Sequence, residues 1–526
     1  MLYIEVVGIC FLGLMTRLIF LLHTGSDLDA HLWLTKLRRD LGGLRGIGRH
    51  HVKDSLVPGI RGYPPLPHAI IAQINPKHWV LVGRLTNLAF DLASILLVYF
   101  LSHLLFERVW QLSSGQFISA AGAVTLLYAT SPKLHPVTAR LQAIGGRTLG
   151  NLLILFYFTC FGVSYLFEVP YFYLPCLLLG TLTVLSSQFG MQVLVVNSIV
   201  LSCFYRDFVP LLPLLGTFGL CILIPQLGVR QLLSRKWAHY KWYFTAIKEG
   251  TTPIAERNSL RDLVALPVYL FSRPREFSRI IFTKATPIIV LYSIPIIPFL
   301  LYWWFSSPDT FTVLFSDNVI WYLAGLTLAS FIAFVITSIK FALFLGEAER
   351  YLEYSLAFLH LIFVRYCIVS KHPYEIIYII TLIHIGFVLV NFLYLSSIRI
   401  KNNLWPPRET DLDDVIKFLN GRSEQNIITI PTKLSYTLAG GMEETDSRFY
   451  YPSMSERGRG MKYMDEDHVY LYLMKPDFGH FRVRYGINTL VAQKREVELA
   501  AKRGIEYPLS SLKLLYDNEG YAVYNV

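Results

Sequence analysis

The chain of 526 residues is 53% hydrophobic and 14% aromatic, with 16% charged residues and a mean hydropathy of +0.44. This is too apolar for a soluble enzyme, yet charged stretches interrupt the apolar runs, as in a chain that crosses a membrane many times. The formal charge is +11, but residues 401–526 carry 17 basic against 18 acidic side chains, so the excess belongs to the part before them. All six cysteines (Cys10, Cys160, Cys176, Cys203, Cys221, Cys367) fall in apolar runs without metal-type spacing and read as small core residues.

Hydropathy predicts about eleven transmembrane helices, near 3–22, 80–106, 117–131, 148–167, 170–187, 190–206, 208–226, 286–305, 318–345, 351–369 and 374–397. The first lacks a basic leading region and a cleavage site, so it reads as a retained helix, and an odd count puts the termini on opposite sides. One face then receives the loops 24–79, 132–147, 186–190, 227–285 and 346–351 together with the tail from 400. The other receives almost nothing. Such one-sided polar mass favours chemistry at a surface over solute transport, which would call for inverted halves and helices broken at midplane. The expected organisation is a transmembrane catalytic domain over 1–399, with large loops 24–79 and 227–285, and a soluble α/β domain over 400–526. Eight Lys and Arg in 24–78 and eleven in 227–284 would place this face in the cytoplasm. Both loops approach the length at which that rule weakens, and an anionic substrate would demand the same residues.

In chain order, "TGSDLDAHLW" follows the first span and holds Asp27, Asp29 and His31. Asp27 suits a helix N-cap before "AHLWLTKL". A carboxylate at the membrane surface also suits a general base toward a hydroxyl, and Asp29 and Trp33 share a helical face at i, i+4, which would set the acid beside an aromatic floor for a sugar. In "RGYPPLPHAIIAQ" the prolines set an extended entry and a helix start. Arg84 and Asp91 lie two turns apart inside the second span, where such residues are functional or mutually paired.

"SPKLHPVTARLQAIGGRTLGNLL" supplies Lys133, His135, Arg140 and Arg147, either a solvated surface or a phosphate site, with Arg147 near a helix N-terminus that favours anions. "VRQLLSRKWAHYKWYFTAIKEG" interleaves Arg235, Lys236, His239 and Lys241 with four aromatics, as in an interfacial anchor or a helix meeting lipid headgroups and a carrier phosphate. "GEAERYLEYS" carries Glu347, Glu349, Arg350, Tyr351 and Glu353: a salt-bridged turn, or one in which Arg350 grips a phosphate. In the tail, "DLDDVIKFLNGR" predicts a helix, "NIITIP" and "VYLYLM" strands, "YGINTLVAQKREVELAAKRG" a strand and helix, and "LKLLYDNEGYAVYNV" a hairpin turning at Asp517–Gly520.

The order of the early carboxylates, "YPPLPH", "GRLTNLAFDLASILLVYFLSHLLF", "LYATSPKLH", "GGRTLGNLLILFYF" and "LSSQFG" over residues 1–230 resembles membrane glycosyltransferases of the GT-C fold. The likeness is to the branch of the protein mannosyltransferases and lipid A aminoarabinose transferases. It implies transfer of a sugar from a polyprenyl-phosphate or polyprenyl-diphosphate donor to a glycan, lipid or protein acceptor on the extracytoplasmic side. It also implies an acidic base in the first large loop, which here is Asp29 with Asp27 as neighbour. Many relatives have adjacent acids, whereas here Ala30 and His31 follow Asp29. Candidate donor contacts are Arg84, His135, Arg140, Arg147, His239, Glu347, Arg350 and Tyr351. No cofactor is expected apart from a divalent cation that Asp27-Leu28-Asp29 could attract; no nucleic acid is expected. A polysaccharide polymerase or ligase, or a lipid-linked glycan transporter, are the alternatives.

Overall fold

The computed structural model describes residues 2–21, 28–57, 59–112, 118–135, 144–248, 260–274, 277, 294–372, 375–401, 410–442, 446–451, 456–457, 460–461, 468–469, 472–473, 477–502 and 504–526. Its helices run α1 (Leu2–Leu21), α2 (Leu28–Asp40), α3 (Leu66–Ile71), α4 (Trp79–Leu104), α5 (Ala120–Thr130) and α6 (Arg147–Leu166). They continue as α7 (Tyr173–Ser186), α8 (Gln188–Tyr205), α9 (Leu212–Leu223), α10 (Val229–Lys248), α11 (Leu260–Ser272) and α12 (Ile296–Ser306). Next come α13 (Pro308–Phe315), α14 (Asn318–Thr337), α15 (Leu356–Val369) and α16 (Glu375–Lys401), then α17 (Thr410–Asn420), α18 (Leu434–Gly441), α19 (Phe478–Tyr485) and α20 (Lys494–Ala501).

A helix lies in each of the eleven expected intervals. Among the described residues, six stretches have both the length and the apolar composition of a membrane span: Pro76–Val109, Arg147–Leu166, Gln188–Tyr205, Asn318–Thr337, Ala348–Val369 and Glu375–Leu393. The chain is therefore an integral membrane protein. Contacts divide it into two units: Met1–Ser26, Lys77–Ile224 and Glu256–Lys401 form the first, and Asp27–Pro76, Pro225–Ala255 and Asn402–Val526 the second.

In the first unit α5, α8 and α14 begin where a side chain caps free amides. Ser119 accepts from the Gly122 amide, Ser187 from Gly190, and Asp317 from Val319 and Ile320. The core centres on α5, α6, α14 and α15, with Leu127, Ile154, Phe158, Leu326 and Leu361 fully enclosed. Gly162 lets the Tyr322 ring cross α6, since a Cβ there would stand 2.7 Å from the ring, and the Tyr322 hydroxyl donates to the Phe158 carbonyl at 2.6 Å. Asp91 forms a fully buried ion pair with Arg17 of α1, a partner that spacing along one helix could not show. Arg17 also donates to the carbonyls of Ala129 (2.8 Å) and Gly13 (3.1 Å).

The second unit holds strands β1 (Asn426–Ile430), β2 (Arg448–Phe449), β3 (Glu456–Arg457), β4 (Gly460–Met461), β5 (His468–Val469), β6 (Tyr472–Leu473), β7 (Thr489–Gln493), β8 (Lys513–Asp517) and β9 (Tyr521–Asn525). One sheet has the order β2-β1-β7-β9-β8, with β2, β1 and β7 parallel and the β8–β9 hairpin antiparallel. "VYLYLM" is not one strand: β5 and β6 pair with each other as an antiparallel ribbon. The stretch after α1 contributes to the core of this sheet. Trp33, Leu34, Leu37, Leu41, Val52 and Val57 pack in one cluster with Val415, Ile428, Leu438, Leu490 and Val523. Residues 54–56 extend the sheet beside β2, where the Leu56 amide donates to the Phe449 carbonyl (2.9 Å) and the Phe449 amide to the Asp54 carbonyl (2.8 Å).

The buried Arg17–Asp91 pair yields a stability prediction. Asp91→Ala strands an uncompensated guanidinium and should cost about 3–5 kcal/mol, whereas Arg17→Met with Asp91→Leu should recover most of it. Thermal unfolding of the detergent-solubilised variants measures both.

Candidate functional site

In the first unit, the loop after α5 and the segment before α15 bring charged side chains together. Ala348–Ser355 is a 3-10 helix of eight residues, longer than such helices usually run. It follows Gly346, whose φ of 116° favours glycine, and the turn is tied by Gln192 donating to the Leu345 carbonyl at 2.9 Å and by the Tyr351 hydroxyl at 3.2 Å. Tyr351 is thus a buried strut of the turn.

Arg147, the first residue of α6, grips Glu353 with both arms of its guanidinium, Nε lying 3.0 Å from Oε2, and Glu353 is 2% exposed. Arg350 pairs with Glu347 and stacks 4.7 Å above the Phe189 ring. Half-buried Lys133 has no carboxylate within ion-pair distance among the described residues. Burial pulls its ammonium down to about 8, with Arg147 and Arg350 pushing the same way and Glu349 and Glu353 opposing. His135 is buried: its Nδ1 donates to the Ser131 carbonyl at 2.8 Å, and its Nε2 lies 3.5 Å from Arg17. The structure thus interleaves Lys133, Arg147 and Arg350 with Glu347, Glu349 and Glu353. Arg84 lies half-buried on α4, and Arg140 lies outside the described residues.

In the second unit, Asp29 is the second residue of α2, and Asp27 lies outside the described residues. His31 Nδ1 stands 2.9 Å from His68 Nε2 with the rings nearly coplanar, and Tyr63 meets both edge-on. One proton occupies that contact, so the two rings are locked as donor and acceptor. Spacing showed His31, but its partner is 37 residues away and invisible to it. Trp33 corrects the expectation of a sugar platform: it is 2% exposed, packed between Tyr436 and Tyr451. Its ring is consumed by the core.

On α10, Arg235 is buried and its side chain crosses Gly62 where a Cβ would collide. Burial lowers Lys236 to about 7 and pushes His239 far below its usual range, helped by Lys236, Arg235 and Arg61. These three cations push His239 in one direction, while Trp237 and Phe244 stay exposed.

The fold is similar to solved structures of two membrane enzymes. Against the archaeal oligosaccharyltransferase AglB of Archaeoglobus fulgidus, in complex with an inhibitory peptide and a dolichol-phosphate, the TM-score is 0.52 at 12% identity, covering 99% of this chain and 73% of that one. Against ArnT of Cupriavidus metallidurans bound to undecaprenyl phosphate it is 0.50 at 10% identity, covering 99% and 96%. Both are GT-C fold enzymes, and the chain has that fold, a helical membrane protein with a small C-terminal sheet domain. No family model matches the sequence, and no curated protein matches it.

Lys133 should titrate near pH 8 rather than at the ordinary value of about 10.4. The unfolded side chain keeps its proton to the higher value, so stability should rise as pH climbs between the two. NMR titration of reductively methylated protein, with Lys133→Gln to assign the signal, measures it; a midpoint near 10 would refute the environment described.

Proposed function

We propose that the chain is a membrane glycosyltransferase that moves a sugar from a polyprenyl-phosphate carrier to an acceptor hydroxyl on the extracytoplasmic side. The supporting observation is a fold shared over 99% of the chain with two structures that hold a polyprenyl phosphate. Fold alone does not make function; the residues supply the rest.

In the proposed reaction the acceptor oxygen attacks the anomeric carbon, the carbon–oxygen bond to the carrier phosphate breaks, and the phosphate leaves with the electron pair. Asp29 takes the hydroxyl proton, so one carboxylate suffices and the anomeric configuration inverts. Asp27 would act as a helix cap or orient the acceptor, and His31, held by His68, would tune the site. Arg140, Arg147 and Arg350 are the proposed phosphate ligands, with Lys133 as a fourth cation and Arg84, His135, Glu347 and Tyr351 shaping their surroundings. Arg147 and Arg350 already hold carboxylates, so a phosphate would displace Glu353 or Glu347 from them. Lys133 can meet it without losing a partner. His239 and its neighbours on α10 would face carrier and lipid headgroups. No divalent cation enters these steps.

Two outcomes follow. Given a panel of labelled polyprenyl-linked sugars, the purified protein should transfer one of them, and Asp29→Asn should reduce transfer roughly 10²–10⁴-fold while leaving binding of undecaprenyl phosphate unchanged. Full activity of Asp29→Asn would remove the base. A reporter active only in the cytoplasm and fused after Val526 should be silent; a strong signal would reverse the proposed orientation.

A further inference from the structure

Parallel strands usually receive ligands beyond their carboxyl ends. In this sheet that edge is formed by the residues after β1 and β2, namely α18 and Tyr450–Tyr451, and the chain's own α2 lies against it. Lys36 of α2 donates to the carbonyls of Ala439 (2.7 Å) and Met442 (3.1 Å), the end of α18 whose carbonyls lack helical partners. Tyr451 is fully buried. Its hydroxyl accepts from the Trp33 indole at 3.1 Å and donates to Asp54 at 3.1 Å. One oxygen thereby joins α2, the strand extension at 54–56 and the sheet. Tyr436 stacks on Tyr451 at 5.2 Å, and the Arg61 guanidinium lies 5.8 Å and 5.5 Å from the Trp33 and Tyr436 rings.

We infer that the C-terminal domain is a clamp for α2 rather than a ligand-binding module, and that Tyr451 is a positioning residue for Asp29, one helical turn before Trp33. This role rests on the proposed transfer reaction. The ring of Tyr451 serves the core, as does any buried aromatic; the hydroxyl is the part that ties α2 laterally. Tyr451→Phe removes two hydrogen bonds and keeps the stack, so the variant should fold.

Hydrogen exchange and kinetics on the full-length protein test the clamp. In Tyr451→Phe, amides of residues 28–40 should exchange about tenfold faster, the effect of losing roughly 1.4 kcal/mol of hydrogen bonding, while those of 356–369 stay unchanged. Turnover with the active donor should fall about tenfold with its KM unaltered. Tyr524→Phe, on the outer hairpin, should change neither. Unchanged exchange in α2 overturns the clamp even if no donor is ever transferred, whereas a wild-type protein inactive with every donor would sink the transfer reaction alone. Faster exchange with normal turnover overturns the positioning role, and equal losses in Tyr524→Phe would reduce it to general destabilisation.

Discussion

A charge removed from water must be met by an opposite charge, and the membrane unit is organised by that requirement. Arg17 and Asp91 meet it within the span helices, drawing α1 onto α4 and α5. Arg147 and Glu353 meet it where α6 begins, and Arg350 and Glu347 in the 3-10 segment. The consequence for a phosphate is specific. Three cations interleaved with three carboxylates do not form an empty cradle, so an incoming anion would exchange places with a carboxylate already there. Such an exchange would have to find a new partner for the displaced carboxylate, since Glu353 is itself buried.

The second unit is governed by packing. The first large loop carries the candidate base, and a loop of that length would lose much entropy on being held still. Its apolar residues are instead spent in the core of the tail sheet: Trp33, Leu34, Leu37 and Leu41 leave α2 on one face and enter the same cluster as Ile427, Ile428 and Val491. The sequence boundary near 400 therefore separates segments of chain, whereas the folded units gather residues 27–76 and 225–255 with the tail.

Much of this was legible from local pattern. Each apolar interval holds a helix because periodicity and composition act over a few turns. The helix at Thr410–Asn420 and the hairpin turning at Asp517–Gly520 were readable from an acidic first turn and from turn residues. What was not legible joins distant residues. Trp33 and Tyr451 are 418 positions apart, and Arg17 and Asp91 are 74. A two-residue strand such as β2 carries no period, so the parallel edge on which α2 rests left no mark. The i, i+4 spacing tells which residues share a face, not whether that face is covered, so it makes a sugar platform of Trp33 where the structure buries the ring.

The two charged surfaces differ in a way that suits different tasks. Around His239 the cations Lys236, Arg235 and Arg61 push in one direction, an arrangement whose long-range field would draw anions and weaken with salt. Around Arg147 and Arg350 the signs alternate, so the far field is small and selectivity comes from short contacts of fixed geometry. Under the proposed reaction a lipid-borne donor would call for both kinds of surface: attraction without demand on shape, and a grip that recognises phosphate. In the proposed reaction the remaining role, that of base, falls to Asp29 near the start of α2. A base of modest strength is enough when the leaving group is a phosphate, so holding that carboxylate in place matters more than making it stronger.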